Sequence, residues 1–454
     1  MRDIVALFQC TRSSLTATTV RQLSRISMAL LAMSGRVTML GLSRWAGHGG
    51  SYRTVQRFFA TGMPWATVFW LFFRHHLFQA DDVYLLGGDE CVVTKAGKTT
   101  YGLDRLFSSL CGKPVPGVSF FTLSLMSTHQ RRSYPTMVEQ MVRTEAEKAA
   151  ARAKAPQKAH QRPPDPDTPP KKPGRPKGSK NRAKMPGLLT PELQRIQRMI
   201  HRQLDLIGIV IPINHIVLDG HFGHHAALQM VRGCGLHLIS KLRHDAALYF
   251  PYEGPYTRRG PRRKYGDRLV YANIPQRSLK QSTVEDHIQT DIYQAQMLHK
   301  EFAHPLNVVV IVKTNLKTRK RAHVVLFSSD LALETTQLID DYSLRFQIEF
   351  NFRDAKQYWG LEDFMNVKQT AVTNAANLSL FMVNVAHVLL QPFRQANPQV
   401  GILDLKAHFR GHKYVVEMLK LLPQKPEPYF IARILAHIAT LGSVHGAPPC
   451  LSTV

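Results

Sequence analysis

Apolar positions in the first eighty residues recur at helical spacing. Residues 21–31 read as an amphipathic helix, residues 37–46 as a second and residues 52–60 as a third, with Ser51 placed to cap it after the turn Gly47-His48-Gly49-Gly50. The period then changes. Val83, Tyr84, Leu85 and Leu86 form a consecutive apolar run, resumed by Val92 and Val93 after Gly87, Gly88 and Asp89, as in a buried strand. The pattern predicts a strand over 118–126 and a helix over 135–155. Residues 156–186 are proline-rich, polar and basic, and predict no packed structure. Beyond them come a helix over 190–206 (Thr190 as cap, Pro191 at its first position), strand-like runs at 209–211 and 215–219, a helix at 222–231 and a strand at 236–242. Segment 246–330 is β-rich, with candidate strands at 269–272, 289–295, 307–313 and 323–328. Helices are predicted over 331–340, over 375–390 with Pro392 ending it, and over 403–422 and 429–441.

Residues 341–364 read as one helix, largely buried through Leu344, Phe346, Ile348, Phe350 and Phe352. Within it Tyr342, Arg345, Glu349 and Lys356 fall at offsets of 0, 3, 7 and 14 residues. At roughly 100° per residue their side chains lie within about 60° of one another. A face carrying both charge signs is either a solvated stripe with an Arg345–Glu349 pair or a site where Glu349 binds metal and Arg345 and Lys356 hold phosphate.

Charge narrows the partners. The chain has 454 residues, a formal net charge of +27 and a pI near 10.1, which points to a polyanion, nucleic acid first. The most apolar run, 65–73, is too short to span a bilayer, so no membrane partner is expected. The N-terminus lacks a secretory h-region, and five scattered cysteines without a CxxC pair argue for a reducing cytosolic setting. Residues 37–60 have the order of a helix-turn-helix or of a plain helical hairpin, and Arg53 and Arg57 on the second helix favour DNA. Segment 172–178, with Arg175 and Lys177, resembles an AT-hook and equally suits a basic linker; both contact phosphates.

Three acids stand out by context. Asp89 lies inside a strand, Asp219 ends a strand before a Gly turn, and Glu349 sits on the mixed-charge helix face. A carboxylate in a buried strand needs a cation or a basic partner, and a strand-ending Asp lies at the ligand-binding edge of an α/β sheet. Three carboxylates meeting there would suit hard divalent cations such as Mg²⁺. His221, His224 and His225 raise a zinc reading as well, although no helical glutamate accompanies them.

The order strand-Asp, strand-Asp, helix-Glu, with Tyr-x2-Arg-x3-Glu-x6-Lys around the last acid, resembles the DDE transposases of bacterial insertion sequences. The likeness is to the subgroup with a Tyr-Arg-Glu-Lys signature and a β-strand insertion before the Glu. The resemblance implies an α/β fold: an RNase H-like (retroviral integrase) catalytic core with a β-rich insertion, a helical N-terminal DNA-binding region and a helical C-terminal region. It makes Asp89, Asp219 and Glu349 the catalytic metal ligands, for Mg²⁺ or Mn²⁺ as two ions. Tyr342, Arg345 and Lys356 become contacts to double-stranded DNA at transposon ends, with target DNA as second substrate and a homodimer as the active form. Residues 220–223 read Gly-His-Phe-Gly where well-known members have Arg-Glu-Ala, and no tryptophan falls within 246–330.

The expected organisation is a helix-turn-helix-like region (1–80), core parts at 81–155, 187–245 and 331–365, the basic linker (156–186), the insertion (246–330) and a helical C-terminal region (366–454). The expected function is a transposase that binds terminal inverted repeats and cuts and joins DNA, cytoplasmic and nucleoid-associated in a bacterium. A stand-alone nuclease and a DNA-binding protein with a decayed catalytic face are the alternatives.

Overall fold

A computed structural model describes residues 4–108, 112–154, 189–256, 261–424, 426–438 and 441–445. The AT-hook-like segment, with Arg175 and Lys177, lies outside them.

The N-terminal third begins with helices α1 (Ile4–Leu7), α2 (Ala17–Ala32), α3 (Met39–Ala46), α4 (Tyr52–Ala60) and α5 (Trp65–His76). Strands β1 (Tyr84–Thr94), β2 (Asp104–Ser108), β3 (Lys113–Ser127) and β4 (Arg132–Gln140) follow, then α6 (Glu145–Lys154). The chain resumes with α7 (Pro191–Ile207), β5 (His215–Leu218), α8 (His225–Gly233) and β6 (His237–Leu242). Next come β7 (Leu248–Pro251), β8 (Tyr265–Arg268), β9 (Leu279–Glu285), β10 (Ile288–His299), β11 (Leu306–Asn315) and β12 (Arg321–Ser328). Helices α9 (Thr335–Leu344), α10 (Phe346–Trp359), α11 (Gln369–Ala396), α12 (Ile402–Leu419) and α13 (Pro428–Ile438) complete the described fold.

Antiparallel β1, β3 and β4 join parallel β1, β5 and β6 in one mixed sheet, an arrangement consistent with an RNase H-like fold. From β6 the sheet continues without interruption through β12, β11 and β10 to β7 and β8. The β-rich segment therefore extends the core sheet, with β12 antiparallel to β6.

Several local expectations change. Residues 132–140 are strand β4, not the start of a helix over 135–155; helices α5 and α11 pack against β4, and burial along most of its length erases the alternation that would have marked it. Residues 209–211 form a turn after Gly208, with Ile209 exposed. Residues 269–272 follow β8 rather than forming a strand. Pro392 lies inside α11, which runs on to Ala396. By length and composition α11 could cross a membrane, but 89% of its most apolar window is buried inside the protein.

Helix α11 is instead the core against which the N-terminal helices dock. Its buried Asn374 donates to the carbonyls of Phe59 (2.8 Å) and Thr61 (2.7 Å) at the end of α4 and accepts from Trp65 Nε1 at 2.7 Å. Helix α12 closes the end of α2 in the same way: Lys406 Nζ donates to Leu30 O (2.5 Å) and Arg410 Nε to Ala32 O (3.0 Å). Burial pushes the Lys406 ammonium down to about 7, with Arg410 adding to the shift. The unfolded lysine keeps its proton to its ordinary value of 10.5, so between about 7 and 10.5 the unfolded chain binds more protons and this group's contribution to stability rises with pH. Denaturant titrations from pH 7 to 10 are expected to show that rise, and Lys406→Met to lose most of it; equal slopes for both proteins would refute the assignment.

Candidate active site

Gly88 of β1 stands opposite Leu218 of β5 in parallel register. The next residues, Asp89 within β1 and Asp219 just past the end of β5, therefore lie side by side, with backbones about 4.8 Å apart. Asp219 accepts from His221 N at 3.2 Å, capping the short turn Gly220–Phe222, and its carbonyl accepts from Ser240 Oγ of β6 at 2.7 Å. That turn packs tightly on β6, for a Cβ at Gly223 would come within 2.2 Å of Lys241 O.

Two glycines bring the third acid close. A Cβ at Gly87 would meet Ile348 Cδ1 of α10 at 2.9 Å and Met126 Sδ at 2.7 Å. A Cβ at Gly88 would meet Leu218 Cδ2 at 2.8 Å and Phe121 Cζ at 2.9 Å. The bare backbone admits buried Ile348 over β1, and the next residue, Glu349, then faces Asp89. At Gly87 the approach permitted is that of a helix, and at Gly88 that of the neighbouring strands' Leu218 and Phe121.

The run over 341–364 is not one helix. It divides at Arg345 into α9 and α10 and ends at Trp359, where Gly360 takes a left-handed φ of 81°. Arg345 joins the acids: Nη1 donates to Asp89 Oδ2 at 2.7 Å and Nη2 to Glu349 Oε1 at 2.9 Å. Its side chain is 16% exposed, that of Asp89 17% and that of Glu349 44%. Burial pushes the Asp89 carboxyl up to about 6, against the pull of Arg345 and of the Glu90 amide; the charges of Asp219 and Glu349 raise it further. Tyr342 is half-buried, within hydrogen-bonding range of Arg345, and burial raises its hydroxyl above the ordinary value.

Lys356 does not join this group. It lies seven residues beyond Glu349, about 10.5 Å along the helix, and donates to Val92 O at 3.1 Å while pairing with Glu362 at 3.1 Å. Helical spacing gave it the right face but not its position along the axis.

Among the described residues, no three His, Cys, Asp or Glu side chains converge closely enough to hold a metal ion as placed. The Arg345 guanidinium stands between Asp89 and Glu349 and donates to both. The donor set nonetheless suits a hard cation: three carboxylates, oxygen donors only, with mutual repulsion that one positive group already relieves. The histidines behave otherwise. His224 Nδ1 accepts from Ala227 N at 3.3 Å as the cap of α8, and the His221 and His224 rings stand 6.5 Å apart.

Helix α4 buries Val55, Phe58 and Phe59 and exposes Tyr52, Arg53, Gln56 and Arg57. The turn before it is tight, with φ of 70° at Gly47 and 77° at Gly49, and Arg25 Nη1 donates to Gly49 O at 3.3 Å. The helix pair also reaches the Glu349 helix: Asp363, just past α10, accepts from Val37 N at 2.9 Å and from Arg36 Nε at 3.3 Å. Lys241, exposed at the carboxyl end of β6 beside the Asp219 turn, was missed from sequence. Its one available signal was a cation near the end of the predicted strand 236–242.

A search among curated proteins finds no match. The family described as DDE superfamily endonuclease matches residues 8–304, which include β1 with Asp89 and β5 with the adjoining Asp219. On that match, the chain belongs to the DDE superfamily endonucleases.

Proposed function

We propose that this endonuclease is the transposase of a bacterial insertion sequence, binding its terminal inverted repeats and carrying out metal-dependent cleavage and strand transfer. The observation that supports it best is the adjacency of Asp89 and Asp219 on neighbouring parallel strands, with Glu349 of α10 linked to Asp89 through the Arg345 guanidinium. The family is one that generally uses divalent metal ions. Asp89, Asp219 and Glu349 would hold them, as Mg²⁺ or Mn²⁺ and as a pair. Bound there, such ions supply Lewis acidity for the attacking and leaving oxygens of a phosphodiester.

The protein's own groups act around them. Arg345, drawn off the carboxylates, presents five donors in a plane that matches a phosphate of the cut strand. Tyr342 orients that guanidinium, and Lys356, together with Lys241, holds phosphates further along. Arg53 and Arg57 on α4 read the end sequence in a major groove, and Arg175 and Lys177 add minor-groove contact. Segment 246–330 serves as the family's β-strand insertion, and two copies pair across two transposon ends in the bacterial cytoplasm, on the nucleoid.

The test is a joining reaction. Duplexes carrying the gene's flanking repeats are incubated with purified protein, Mg²⁺ and a target plasmid. Cut ends covalently joined to target are expected. Cutting without joining would favour a stand-alone nuclease, and neither product in Mg²⁺ or Mn²⁺ would refute the reading.

A further inference from the structure

At the far end of β1 from Asp89 lies a polar cavity of about 490 Å³. It is lined by Arg132 at the start of β4, Gln79 before β1, and Gln391, Pro392, Arg394 and Gln395 near the end of α11. Arg132 pairs in register with Ser127, which pairs with Tyr84. It therefore sits in the Tyr84 row, five residues from Asp89 (89 − 84 = 5), about 17 Å along the strand. That is too far to touch a phosphodiester held by Asp89.

The charges here are unbalanced. Neither Arg132 nor Arg394 has a salt-bridge partner among the described residues; Asp354, whose charge reaches Arg394, is already paired with Arg353 at 2.9 Å. Arg394 Nε donates to Val400 O at 3.1 Å. Behind them, His387 is held uncharged, pushed down to about 3 by burial and then by these same two arginines. Burial and the charge of Arg132 also lower Arg394. Two guanidiniums that repel one another, with three carboxamides beside them and no acid in the lining, form a pocket complementary to a tetrahedral oxyanion.

We propose that the Arg132–Arg394 cavity is a second phosphate-binding site, which takes a backbone phosphate of bound duplex DNA remote from the cleavage centre. The inference rests on the reading of the chain as a DNA-acting enzyme. DNA rather than a free phosphate compound is favoured by the net charge of +27 and by the family's action as an endonuclease.

Two measurements test it, on the full-length protein and the variants Arg132→Gln, Arg132→Lys and Arg132→Gln/Arg394→Gln, with circular dichroism confirming the fold. The first is the slope of log K against log[KCl] for a fluorescent duplex of about 30 base pairs. Each lost phosphate contact is expected to lower its magnitude by about 0.9. The double variant, which loses this one phosphate contact, should lose about 0.9, and Arg132→Lys should keep the wild-type slope, because counterion release counts charge whereas a structural role would not be rescued. The second is thermal stabilisation by inorganic phosphate, expected for wild type and absent from the double variant. A phosphate effect with unchanged slopes would overturn the DNA assignment in favour of a free phosphate compound. Unchanged behaviour in both would overturn the site. Neither measurement needs cleavage, so loss of the transposase reading would leave both interpretable.

Discussion

Changing Asp89 or Asp219 to Asn, or Glu349 to Gln, is expected to lower end cleavage by about a thousandfold or more in each case. A metal-binding carboxylate contributes several kcal/mol of transition-state charge stabilisation, and each 1.36 kcal/mol is tenfold in rate. The amides keep the shape of the side chains, and the exposed basic face of α4 is unaltered. End binding, measured by gel shift or anisotropy in the same buffer, should therefore stay within about threefold of wild type, since removing negative charge does not weaken phosphate contacts. Asp89→Asn removes a raised, buried carboxyl but also one partner of Arg345, so its melting temperature is measured beside its rate to separate lost catalysis from a weakened fold. One variant that cuts at the wild-type rate would remove that residue from the triad.

Arg345→Ala is expected to destabilise the protein without added cations by about 3 kcal/mol, because Asp89 is then left buried without its partner. The same substitution removes the group that occupies the space between Asp89 and Glu349. Mn²⁺ should therefore raise the melting temperature of the variant by more than it raises that of wild type. Arg345→Lys keeps the charge but cannot donate to both carboxylates at once as the fork does, and should fall between the two. Equal Mn²⁺ stabilisation in all three proteins would show that guanidinium and cation do not compete. The competition also has a functional corollary: a DNA phosphate that draws Arg345 away should make the carboxylates more receptive to cations, so duplex and Mn²⁺ should bind cooperatively in wild type and less so in Arg345→Ala.

Parts of the site were legible because they depend on short-range pattern. Asp89 in an apolar strand after two glycines, and Asp219 ending a strand before a Gly turn, are local signals, and β1 and β5 formed where the apolar runs predicted. The Tyr342–Lys356 stretch was legible as a mixed-charge face. It was not legible as two helices, because Arg345 is itself helical in φ and ψ and nothing in its neighbourhood breaks the period. Strand β4 was misread for the opposite reason: helices pack against it and most of its residues are buried, so the alternation that identifies a strand was missing. Nor was it legible why Gly87 is a glycine, since only the packed helix shows that Ile348 takes the vacant Cβ space there.

By itself, then, the sequence determined the chemistry available to this protein: three acids in strand and helix contexts, a basic signature beside the last of them, and a charge that calls for DNA. These follow from residue type and from periods of two or 3.6, which are local quantities. The tertiary structure decided how those groups meet. Arg345 and Asp89 are 256 positions apart in the chain, and their 2.7 Å contact depends on where β1 lies in the sheet, the bare backbone of Gly87 and a helix break acting together. The same holds for Lys356, turned towards Val92 and Glu362, and for Arg132 and Arg394, drawn together from a strand and a distant helix. No local pattern encodes such pairings, because they arise only where the packed sheet sets distant segments side by side.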